Sequence, residues 1–216
     1  MSGLTSIELP QSLEHIGDHA FMRSALGTVA LPGRGLRTIG AEAFRYCRDL
    51  AGTVHLPATL ETMGFSAFGG CTKLREVELP ISLETVPEYA FLNCSALTNI
   101  VFPEGLTTIG AHAFEGCAME SIELPRSLEK IEDFAFGLCG NLRRVTWHKE
   151  KVEVHPEAFK NTPFRYIEPR LVGSKPVEKW GKRGLVAAAG LTGVGATALL
   201  TMHGLKKKEK GLQAKR

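Results

Sequence analysis

The dipeptide Ala-Phe returns seven times along this 216-residue chain, with its phenylalanine at Phe21, Phe44, Phe68, Phe91, Phe114, Phe136 and Phe159. The steps are 23, 24, 23, 23, 22 and 23 residues. A fixed period of this length means stacked units that bury each other's faces, because one unit of some 23 residues cannot enclose a core alone. Other columns keep the same register. Five residues before each phenylalanine stands Ile16, Ile39, Met63, Val86, Ile109, Ile131 or Val154, and eight before it Leu13, Leu36, Leu60, Leu83, Leu106 or Leu128, with Lys151 breaking the column in the seventh unit. A Leu-Pro pair, as at Leu79-Pro80, opens most units, with Phe102-Pro103 and Trp147-His148 as variants.

In Leu-x-x-Ile-x-Leu-Pro the last two apolar residues are two apart and share one face of an extended strand, which proline then ends. The following Leu-x-x-Ile turns the chain and brings a second apolar row inward. Ala-Phe fills the layer with one small and one large residue. Strands of successive units pair in parallel at about 4.8 Å, so seven rungs would span roughly 34 Å. Extra residues near Gly33–Gly35 and Ala51–Thr53 fall beside turns, where a stack absorbs insertions.

The units LREVELPISLETVPEYAFLNC and MESIELPRSLEKIEDFAFGLC resemble the BspA-like, or Treponema-type, class of leucine-rich repeats, over residues 4–165. The resemblance implies a β-rich right-handed leucine-rich-repeat solenoid of about seven parallel-stranded repeats, used for adhesion or protein interaction. Pro stands where other leucine-rich repeats carry Asn or Cys, so their horseshoe curvature is not implied.

Cys47, Cys71, Cys94, Cys117 and Cys139 all stand three residues after the phenylalanine, with Ser24 and Thr162 in the same column of the terminal units. Their odd number and parallel placement point to reduced, structural thiols rather than disulfides or metal ligands, with a lean to a cytosolic compartment. The histidines scatter over several columns, no Cys-x-x-Cys or His-x-x-x-His spacing occurs, and no phosphate loop or nucleophile elbow is present. The expectation is a non-enzyme without cofactor or metal.

A binding function would sit on the outward strand columns. One column reads Glu8, Ala30, His55, Glu78, Val101, Glu123 and Thr146; its neighbour reads Ser6, Thr28, Thr53, Glu76, Asn99, Ser121 and Arg144. The candidate surface is Glu8, His55, Glu76, Glu78, Asn99, Glu120, Glu123, Arg143 and Arg144. Glu76, Glu78, Glu120 and Glu123 form an acidic strip suited to a protein with a basic surface, alongside the plainer reading of a solvated face.

Charge divides the chain at Arg170. Residues 1–170 carry 16 Lys/Arg against 21 Asp/Glu, and residues 171–216 carry 10 against 2. The body gives no basis for nucleic-acid binding. Residues 166–183 read as a linker, 184–205 as a C-terminal helix that spans or lies on a membrane, and 206–216 as a basic tail. Residues 184–205 hold no Asp, Glu, Lys or Arg and would reach about 33 Å as a helix, against a bilayer core of about 30 Å. Trp180 and Lys182-Arg183 suit the interface, and Ala189, Gly193, Thr197 and Thr201 form a small-residue stripe on which two such helices could dimerise weakly. Met1-Ser2-Gly3 run straight into the first repeat, so a complete chain would be a C-terminally anchored scaffold with its repeats in the cytosol. A piece of a longer, secreted chain would instead be an adhesin or receptor ectodomain at the cell surface. A soluble regulatory subunit of a larger complex is the third reading.

Overall fold

A computed structural model describes residues 3–148 and 152–164 together with the backbone of 166–169. Over this length the chain is a parallel-strand β-solenoid, and its seven repeat phenylalanines bound six full turns. Residues 184–205 and 206–216 lie outside the described residues, so the expected C-terminal helix and its small-residue stripe do too. Among the described residues no helix is long and apolar enough to cross a membrane.

Each unit contributes to three hydrogen-bonded sides. The first side holds the longer strands: β3 (Gly52–His55), β5 (Leu74–Glu78) and β7 (Asn99–Val101) form one parallel sheet, and β9 (Ser121–Glu123), β11 (Arg144–Trp147) and β13 (Tyr166–Pro169) another. Strand β13 pairs in parallel with β11 and so continues the sheet beyond residue 165. Among the described residues no ladder joins β7 to β9. There the bend from Cys117 to Ser121 is one residue shorter than the bend from Cys94 to Asn99. Ahead of β3, the extra residue near Ala51–Thr53 produces a register shift between Gly52 and Thr53.

The second side was expected as a turn and is a ladder of two-residue strands. Strands β1 (His15–Ile16), β2 (Thr38–Ile39) and β4 (Thr62–Met63) pair in parallel, as do β6 (Thr85–Val86), β8 (Thr108–Ile109), β10 (Lys130–Ile131) and β12 (Glu153–Val154). The backbone N–H groups of Gly40, Gly64, Gly110, Glu132 and His155 each donate to the preceding rung. Pro87 stands at this position in the fourth unit and has no N–H, which accounts for the break between β4 and β6.

The third side contains Ala-Phe. Residues two before and two after the phenylalanine take left-handed backbone angles, as at His19 and Arg23, Glu42 and Tyr46, and Tyr89 and Asn93, with φ between 55° and 59°. This alternation aims every second N–H along the axis: those of His19, Phe21 and Arg23 reach the carbonyls of Ala41, Ala43 and Arg45 at 2.9, 2.7 and 2.8 Å. Backbone groups that would otherwise be orphaned inside the coil are thereby paired.

The core is a set of columns. The phenylalanine rings stack along the axis at 5.0–5.6 Å, and Phe164 closes the stack over Phe159 at 5.2 Å. Ala43, Ala67, Ala90, Ala113, Ala135 and Ala158 are fully buried beside them. The seventh unit, with Lys151 in the leucine column, buries Val152. All five cysteines are free and buried. Each Sγ donates to the carbonyl of the phenylalanine one rung back: Cys47 to Phe21, Cys71 to Phe44, Cys94 to Phe68, Cys117 to Phe91 and Cys139 to Phe114, at 3.0–3.3 Å. Desolvation pushes the Cys139 thiol up to about 12 and also raises that of Cys117, and a hydrogen bond with Cys94 together with burial raises that of Cys71.

Candidate functional site

The strands set the outward residues in register, as their period of two requires. Thr53 lies opposite Glu76 and Glu76 opposite Asn99; His55 lies opposite Glu78 and Glu78 opposite Val101. The Glu76 carboxylate bridges three rungs, accepting a hydrogen bond from Thr53 Oγ1 at 3.0 Å and another from Asn99 Nδ2. Glu78 Oε2 accepts from His55 Nδ1 at 2.6 Å. Val101 continues this column and is 59% exposed, a large apolar side chain in a polar setting.

The remaining candidates lie apart from this group. Glu123 is on the second sheet, where His148 Nε2 reaches its Oε1 at 2.6 Å. Arg144 opens β11 opposite Ser121. Glu120 and Arg143 sit in the bends before β9 and β11, and the Glu120 carbonyl accepts from the N–H groups of Arg143 and Arg144 at 2.9 and 3.3 Å. Glu8 is exposed at the N-terminal end and bridges in parallel to Ala30. The acidic strip is thus divided between two sheets, and on each a histidine ring nitrogen lies within hydrogen-bond distance of one carboxylate. His148 was missed as a member, although its departure from the Leu-Pro pattern was a visible signal. Thr53 and Val101 were in the columns but carried no charge to single them out.

Beside the register shift lies an open depression of about 400 Å³ lined by Ala51, Gly52, Thr72, Lys73, Arg75 and Ala96. Its walls are mostly alkyl, and Lys73 is bound to Asp49 at 2.7 Å. Among the described residues no group of three or more His, Cys, Asp or Glu could hold a metal ion.

The comparisons with known proteins agree with this architecture. A solved leucine-rich-repeat protein from T. pallidum is 35% identical, with 56% of this chain and 58% of that one covered at a TM-score of 0.53. A leucine-rich cell surface protein from Faecalibacterium prausnitzii is 26% identical, covering 77% of this chain and 53% of its own, at a TM-score of 0.57. A leucine-rich-repeat protein from Eubacterium ventriosum reaches a TM-score of 0.71 at 22% identity, covering 80% of this chain and 46% of its own, a likeness of fold alone. This chain therefore spans about half the length of the solved structures it matches. No curated protein matches it. The BspA type leucine-rich-repeat region matches residues 1–97 and 61–170 in six copies, and this chain belongs to that family.

Proposed function

We propose that this chain is a non-catalytic scaffold that docks a protein with a basic surface on the face of β3, β5 and β7. Leucine-rich-repeat domains generally bind other proteins, which supports the class. One observation carries the site: Thr53, His55, Glu76, Glu78 and Asn99 are held in two registered rows by hydrogen bonds across the rungs, around the exposed Val101. A face ordered before binding loses less side-chain entropy when a partner arrives. Its carboxylates attract a basic partner, and Val101 offers the apolar contact that such a partner must cover.

The test is affinity capture with the wild-type chain and with a variant carrying Glu76→Lys, Glu78→Lys, Glu120→Lys and Glu123→Lys. The captured partner should be lost from the variant, and an unchanged set of partners would retire the acidic face. In the same reading, residues 184–205 tether the scaffold to a membrane with its repeats in the cytosol, supported by their length and their flanking basic residues. Carbonate washing of membranes should leave the full-length chain in the pellet; its release would remove the tether. A second reading, display outside the cell, draws on the solved relative described as a cell surface protein. Protease treatment of intact cells separates the two, since a cytosolic solenoid survives it.

A further inference from the structure

Repetition separates what the solenoid requires from what it tolerates. The place of Arg48, four residues after the phenylalanine, is taken in the other units by Ala25, Thr72, Ser95, Ala118, Gly140 and Pro163. The place of Arg23, two after it, is taken by Tyr46, Gly70, Asn93, Gly116, Leu138 and Asn161. The fold does not call for arginine at either position. Yet Arg23, Arg45 and Arg48 converge on one ring, with guanidinium carbons 5.7, 4.9 and 5.8 Å from the centroid of Tyr46.

That ring is fixed. Tyr46 has a left-handed backbone at φ 59° and lies against Gly70 of the next unit, where a Cβ would come within 2.4 Å of its Cδ1. Arg45 is spoken for: it bonds Glu42 Oε1 at 2.5 Å and the Tyr46 hydroxyl at 3.3 Å. Glu42 also lies 3.8 Å from His19 Nε2. Arg23 and Arg48 are exposed and, among the described residues, have no carboxylate partner. Three guanidinium charges thus face a single carboxylate, leaving two uncompensated.

We propose that the Arg23, Arg45 and Arg48 cluster around Tyr46 is a binding site for a dianionic phosphomonoester group. The charge matches, since such a group carries about −1.5 to −2 at neutral pH and presents three acceptor oxygens. Two free guanidinium forks and the Tyr46 hydroxyl supply more donors than the two oxygens of a carboxylate can use. The pinned ring holds the arginines together before the ligand arrives, which lowers the cost of binding. The site lies on the turn side of the first two units, apart from the sheet face, and stands or falls independently of the protein-docking reading.

The experiment titrates phenyl phosphate, phenyl sulfate and benzoate into the full chain at constant ionic strength. The Nε–Hε NMR signals of Arg23, Arg45 and Arg48 are the readout, because the basic residues beyond 170 would obscure any measure of total anion uptake. Saturable shifts at these three signals with phenyl phosphate are expected, at least about tenfold tighter than with benzoate. In the double variant R23Q/R48Q, where the Arg45 signal remains as the reporter, phenyl phosphate should no longer shift it while the wild-type melting temperature is kept, and R34Q, an exposed arginine elsewhere, should retain all three shifts. Vesicles of phosphatidylcholine with and without phosphatidic acid then assign the source. Broadening of the three signals only with phosphatidic acid, with the remaining Arg45 signal left sharp in R23Q/R48Q, marks a lipid headgroup; shifts with phenyl phosphate and none with vesicles mark a soluble monoester. Shifts that fail to saturate, equal or tighter binding of phenyl sulfate or benzoate, or binding retained by R23Q/R48Q would overturn the assignment.

Discussion

The interior of this solenoid and its sheet face come from the same repeated units but obey opposite rules. In sequence, every rung places Ala-Phe alike and five of seven rungs place a cysteine alike, whereas the outward column Glu8, Ala30, His55, Glu78, Val101, Glu123 and Thr146 holds five residue types, Glu at three of its seven positions. The difference is one of neighbours. An interior ring such as Phe91 stacks on Phe68 at 5.6 Å and on Phe114 at 5.3 Å, so a change of size at one rung disturbs two others. An outward side chain meets water and one or two cross-rung partners, and can vary without cost to the stack. What a solenoid repeats is what its packing demands, and what it varies is available for recognition.

The sharpest way to break this contrast is to truncate one residue from each region. Phe91→Ala removes a fully buried ring from mid-stack and should cost about 3–5 kcal/mol in urea unfolding. Val101→Ala, on the open face, should change stability by no more than about 0.5 kcal/mol. Comparable losses from the two would mean that the face, too, holds the fold together.

The thiol column extends the contrast to pH. In the folded chain burial raises the thiols of Cys117 and Cys139, that of Cys139 to about 12, while an unfolded thiol titrates near 8.5. The folded state therefore binds these protons more tightly than the unfolded state does. Their contribution is fully present below about pH 8.5 and is lost as pH rises toward 12. The urea midpoint should fall steadily from pH 9 upward, and iodoacetamide at pH 8 should label the five cysteines only as fast as the solenoid opens. Rapid labelling of the native chain would show that the column is not sealed.

Much of this was legible in the sequence, for a reason tied to particular columns. Phe, Ala and Cys recur because each meets its own kind one rung away, so period alone placed them, and the in-register pairs His55 with Glu78 and Glu76 with Asn99 followed from the same count. The second ladder was not legible, since two residues such as Thr85-Val86 are too few for an alternating pattern to emerge. The division of the acidic strip depends on a single missing residue before Ser121, whose effect on pairing no composition reveals. The Arg23–Tyr46 cluster was hidden because a count of repeats brings out residues that recur, and arginine recurs at neither the Arg23 nor the Arg48 position, although Arg23 and Tyr46 share a column.

Gly70→Ala probes a boundary between the two regions, where an interior turn supports a surface side chain. The left-handed angle of 75° and the approach of Tyr46 both oppose a Cβ, so the substitution should cost about 1–3 kcal/mol. It should also displace the Tyr46 ring, visible as altered ring-proton shifts. A neutral substitution would mean that the ring moves freely and holds no arginine in place.

The smallest effect should come from the face itself. His55 and Glu78 are 68% and 56% exposed, and exposed pairs are screened and contribute little. A double-mutant cycle with His55→Ala and Glu78→Gln should give a coupling of about 0.5 kcal/mol or less, shrinking further as salt is raised. The small value is the useful one. If Glu78→Gln leaves stability where it was, any loss of partner capture it causes is a loss of recognition, because no change of fold is left to explain it. A large coupling would instead make the cross-rung hydrogen bonds structural, and the variation along this column would then need a reason other than freedom from packing.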